Sequence, residues 1–74
     1  MSAANLATTP TQALFWVQWP APDDRWYFIR DRNNPAMWLL TDVRPEPVSR
    51  REAIEVQSLV RRHIAPAPVL VAAS

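Results

Sequence analysis

The stretch 48-VSRREAIEVQSLVRRHI-64 decides the fold, because it is the one segment with a clear helical period and a clear start signal. Ser49 and Glu52 form an S-x-x-E capping box, which predicts a helix beginning at Ser49. At about 100° per residue, Ala53, Val56, Leu59, Val60, His63 and Ile64 fall on one arc, which should pack on a sheet. Arg61, Arg62 and His63 then sit in the last turn, where positive charge suits the dipole, and Pro66 ends the helix. Arg50 and Arg51 are anomalous. They place positive charge at the positive end of the dipole, at a cost of about 0.3–1 kcal/mol per exposed charge.

Outward from the helix, the preceding segments read as strands. Ala13 to Trp19 alternates, with Ala13, Phe15, Val17 and Trp19 on one face and Leu14, Trp16 and Gln18 on the other. The turn 20-PAPDD-24 separates it from a second strand, Arg25 to Asp31, and the two should form an antiparallel hairpin. The turn 32-RNNP-35 leads to a third strand, Ala36 to Asp42. The chain has no glycine, so Asn or Asp must supply any left-handed turn position. Arg44-Pro45-Glu46-Pro47 should be extended, since each proline disfavours helix in the residue before it. The expected class is therefore α+β: a small antiparallel sheet of three strands, or four, with one helix on one face, in the order β-β-β-α(-β). Residues 1–11 read as a flexible N-terminal tail and 12–65 as a single domain. Residues 66–74 read as either a short edge strand or a flexible tail.

Composition narrows the functional classes. At 74 residues the chain makes one domain at most, with a marginal core. It has no cysteine and no lysine, which removes thiol and Schiff-base chemistry. One histidine among scattered carboxylates is not a metal-ligand cluster, and a glycine-free chain has no phosphate-cradling loop. The expectation is a protein that is not an enzyme and needs no cofactor. There is no signal-peptide pattern and no apolar run of membrane-spanning length, so a cytoplasmic monomer is expected, with no membrane contact.

All eight basic residues are arginine. A GC-rich coding sequence, which favours Arg, Ala and Pro codons together, accounts for that. Arginine is also the residue preferred for bidentate recognition and for stacking on aromatics. The net charge of +1 argues against nucleic-acid binding by bulk attraction. Ile54 falls outside the helix's apolar arc, among Arg50, Arg51, Ser58 and Arg61. An apolar residue rimmed by arginines is the pattern of a small protein-binding patch, although isolated exposed apolar residues are common. The expected partner-binding set is Arg50, Arg51, Ile54, Arg61 and Arg62. A second candidate patch is Trp16, Trp26, Phe28 and Arg30, if strand parity aligns them on the sheet's open face. Such a platform would suit protein anchoring or the stacking of single-stranded bases.

A lysine-free, glycine-free, Arg/Ala/Pro-rich chain of this length, with one sheet and one helix, resembles small phage-encoded regulators from GC-rich hosts. It is most similar to the host-RNA-polymerase-binding transcription regulators of lytic Xanthomonas phages. The resemblance covers size, composition and layout, and it carries over no binding residue. It implies binding to host RNA polymerase in the host cytoplasm, displacement of the sigma factor with inhibition of initiation, and antitermination. Nucleic acid could then be present in the assembled complex. The alternatives are a single-stranded nucleic-acid-binding module and an inhibitor of another host system, such as a defence complex.

Overall fold

The computed structural model describes residues 13–73. It contains β1 (Leu14–Trp19), β2 (Trp26–Arg30), β3 (Trp38–Thr41), β4 (Val48–Ser49), α1 (Arg50–Val60) and β5 (Val69–Ala73). The architecture is α+β, a curled antiparallel sheet with one helix, as the sequence pattern predicts. The expected tail at residues 1–11 lies outside the described residues.

β1 is the hub. It pairs with β5 through Leu14 to Gln18, with β2 through Val17 to Trp19, and with β4 through Leu14 and Phe15. Residues 14 and 15 pair with both β4 and β5, and residues 17 and 18 with both β2 and β5. A strand has two edges, so β5 holds one edge of β1 while β2 and β4 share the other, end to end. β3 extends the sheet beyond β2. Of the two readings of residues 66–74, the strand is the one formed. β4 was not foreseen. Its two residues continue the edge of β1 where β2 leaves it.

Register assigns the faces. Val17 pairs with Phe28, Phe28 with Leu40, and Val17 with Leu70. Phe15, Val17, Trp19, Trp26, Phe28, Arg30, Trp38, Leu40 and Leu70 therefore share the helix side. The buried core is Val17, Phe28, Ala53, Val56 and Val60, flanked by Phe15, Trp19, Trp38, Val48, Ile64 and Leu70. Phe28 is its aromatic centre, in edge-on contact with Trp38 at 5.3 Å and tilted against Trp19 at 6.3 Å between centroids.

The local signals resolve with two corrections. Ser49 is the N-cap, with Oγ accepting from the Glu52 N–H at 3.2 Å. The reciprocal half of the capping box does not form, because the Glu52 carboxylate turns to Arg30. The helix ends at Val60, not Ile64, and continues only as a turn through His63. The chain tightens after Val60, with the His63 N–H donating to the Val60 carbonyl at 2.8 Å, and Pro66 bars helix beyond this turn. His63 is consequently exposed, while Ile64 still reaches the core. The left-handed position falls on Asp24, at φ 59°, one of the two residue types expected there in a glycine-free chain. The turn at Asn33 and Asn34 closes instead through the Asp31 carboxylate, which accepts from the Asn33 N–H at 2.9 Å.

Replacing Phe28 by Ala should lower the unfolding free energy by about 3–5 kcal/mol. Leu39→Ala, at a side chain 47% exposed on the opposite face, should cost less than about 1 kcal/mol. Chemical denaturation followed by tryptophan fluorescence measures both.

Candidate protein-docking face

The chemistry of the helix surface starts on the sheet. Arg30 ends β2, two residues beyond Phe28 and so on the same side, at the rim of the core. Its guanidinium is engaged at all three nitrogens. Nε donates to Glu52 at 3.2 Å, Nη2 to Glu55, and Nη1 to the Pro35 carbonyl. The side chain is 21% exposed, so these contacts are screened less than open surface pairs. One residue thus ties β2, the β2–β3 turn and the first turns of α1 together.

The helix has two glutamates and four nearby arginines, and Arg30 holds both glutamates. Arg51 reaches Glu55 only at 3.8 Å and is itself almost fully exposed. Among the described residues, Arg50, Arg61 and Arg62 form no ion pair. The arginines of the sheet differ. Arg25 pairs with Asp23 at 3.0 Å and lies over Trp26. Arg44 lies 4.7 Å over Trp16 and donates to the Tyr27 hydroxyl at 3.2 Å. The unengaged guanidinium groups are thus concentrated at the helix and the turn that follows it, with Arg32 in the β2–β3 turn.

The five residues expected to bind a partner are all exposed. Ile54, at 36% exposure, lines a shallow depression of about 360 Å³ with Ser58, Leu59, Arg62 and the Arg30–Glu55 pair. Arg50 and Arg51 stand at the N-terminal end of the helix and Arg61 just past its C-terminal end, outside this depression. An 11-residue helix is about 16 Å long, so the arginine pairs bracket the apolar spot from opposite ends. Leu59 was expected in the core. It lies about 100° from Val60, on the edge of the apolar arc, and turns out to line the outer depression. Arg30 belongs to this site through Glu55, a role that sequence spacing did not reveal.

The second expected patch does not assemble. The register of β1 with β2 puts Trp26, Phe28 and Arg30 on the helix side and Trp16 on the other. Phe28 is 2% exposed and Arg30 is clamped. Trp16 is engaged within the open face: its Nε1 donates to the Pro45 carbonyl at 2.6 Å, and it meets Tyr27 edge-on under Arg44. The expected base-stacking platform is therefore lost.

A larger cleft of about 720 Å³ opens where β2 diverges from β4, with Arg32, Glu46 and Ser49 in its lining. Its charges are mixed, and two of its lining residues, Arg30 and Glu52, are already paired with each other. Among the described residues, no three His, Cys, Asp or Glu side chains are placed to hold a metal ion. No helix among them is long and apolar enough to cross a membrane. No family model matches the chain, and neither a curated protein nor a solved structure does.

Arg30→Met should lower the unfolding free energy by about 1.5–3 kcal/mol, the range for hydrogen bonds to charged groups. Arg61→Met with Arg62→Met should stay within about 0.5 kcal/mol of the unmodified chain. Urea titration of both variants checks the contrast.

Proposed function

We propose that this chain is a small, non-enzymatic regulator that binds a large protein partner through the outer face of α1. The observation that carries this is the internal pairing of both helix glutamates with Arg30. With both carboxylates neutralised from within, the charge of this face is set by Arg50, Arg61 and Arg62, which make no ion pair among the described residues, and by Arg51, which pairs weakly, around Ile54 and Leu59. Interface anchors are typically an apolar centre with arginine at its border. The dipole penalty at Arg50 and Arg51 is consistent with a role other than helix stability. The surface sought by this face is acidic, with a small apolar projection to fill the depression.

The resemblance in size, composition and layout supports host RNA polymerase as that partner. Binding there would displace the sigma factor, inhibit initiation and favour antitermination. Docking by an arginine face should be fast and sensitive to salt, since exposed charges steer association.

Binding to RNA polymerase purified from Xanthomonas tests the proposal. The unmodified chain should bind, and Arg50→Glu with Arg51→Glu should weaken binding by at least about tenfold, equivalent to about 1.4 kcal/mol. No binding by the unmodified chain would reject polymerase as the partner. Unchanged affinity in the double variant would reject the helix face. Capture of a different host complex, lost in the same variant, would favour the inhibitor of another host system.

A further inference from the structure

The sheet has an edge that nothing described covers. β5 pairs with β1 through all five of its residues, and through its other edge with no described strand. No backbone hydrogen bond outside the β1 ladder joins Val69 to Ala73 to another described residue. In an antiparallel strand alternate residues aim their N–H and C=O groups away from the paired neighbour. Among the described residues, the donors and acceptors along the outer edge of β5 therefore have no backbone partner.

Such edges are ordinarily blunted by charged side chains, bulges or a covering element. Among the described residues, β5 has none of these. Its sequence, VLVAA, is uncharged, and so is that of β1 behind it, LFWVQW. Val69 is 41% exposed. Pro68 precedes the strand and has no N–H, so pairing stops there.

We infer that the outer edge of β5 is a strand-addition surface, and that its occupant is β5 of a second copy of this chain. The commitment to a second copy rests on self-complementarity. In an antiparallel pair centred on Val71, Val71 opposes Val71 of the second copy. Val69 then opposes Ala73, and Leu70 opposes Ala72. Each larger side chain meets a smaller one except at the centre, and no like charges face each other across the seam. Pro68 bounds the overlap to the five residues of the strand. The contact is isologous and closes as a two-fold dimer. The alternative pairing, β5 against β3 of another copy, is head-to-tail and would not close. A five-residue seam is small against the roughly 1,200–2,000 Å² of a standard interface, so the dimer forms reversibly. It departs from the monomer expected from the sequence. It uses a surface separate from the arginine face and does not depend on the partner proposed for that face.

Sedimentation velocity of the full chain, from micromolar to millimolar concentration, tests this. The mass should rise from 8.5 kDa to twice that value and stop. Val69→Lys with Ala72→Lys, both at exposed positions, should keep the circular dichroism spectrum and hold the chain at the single mass. If that variant does not fold, hydrogen exchange on the unmodified chain decides: β5 amides should gain protection as concentration rises. A single mass throughout, a dimer indifferent to the two lysines, or growth past two copies would each overturn the inference. So would β5 amides protected only when polymerase is added, which would give the edge to a foreign strand. Arg50→Glu with Arg51→Glu should leave self-association unchanged.

Discussion

Arg30 is the contact on which the rest of the molecule depends. It stands at the end of β2, where register carries it to the helix side, and there it meets Glu52, Glu55 and the Pro35 carbonyl. Among the described residues the buried cluster under the helix is Val17, Phe28 and three helix residues, with Tyr27 buried on the open face. Such a core holds the Ala53, Val56 and Val60 side of the helix against the sheet. The clamp adds a polar tie between the first turns of α1 and the end of β2. It also decides the charge of the opposite side. Glu55 stays half-exposed beside the outer depression but is neutralised by Arg30, so Arg50 and Arg51, with Arg61 and Arg62 just beyond the helix end, set the charge of that side. Stability and surface charge are therefore two consequences of one residue's geometry.

β1 supplies the other constraint. Its C-terminal half pairs with β2 and its N-terminal half with β4, on one edge. This division lets Ser49 serve as both a strand residue paired with Leu14 and the cap of the helix. No loop intervenes between sheet and helix, so the entry direction of α1 follows from the ladder. The open face is finished differently. Arg44 and Pro45 cross it and engage Trp16 and Tyr27, so these aromatics are satisfied within the fold.

What could be read from the sequence was local. The alternation in Phe15, Val17 and Trp19 gave the inward face of β1, and Ser49 gave the helix start. Ala53, Val56 and Val60 gave its buried side, and the exposure of Arg50, Arg51 and Ile54 followed. What could not be read was relational. Alternation defines two faces for each strand but not which face of β2 lies over which face of β1, since a shift of one residue exchanges them. Trp16 and Phe28 were therefore grouped although they lie on opposite sides. The arginine clamp was hidden for the same reason. Glu52 sits 22 positions from Arg30 and had a local alternative in the capping box. β4 was too short to show a period, and the early end of the helix lies in a tightened turn at Val60 to His63 that no residue type marks.

The most direct measurement is a double-mutant cycle between Arg30→Met and Glu52→Gln with Glu55→Gln, read by urea unfolding. The account predicts a favourable coupling of roughly 0.5–3 kcal/mol, as for residues sharing one network. Additive effects would mean that Arg30 does not hold the two glutamates in solution, and the origin assigned to the helix's arginine face would then be wrong.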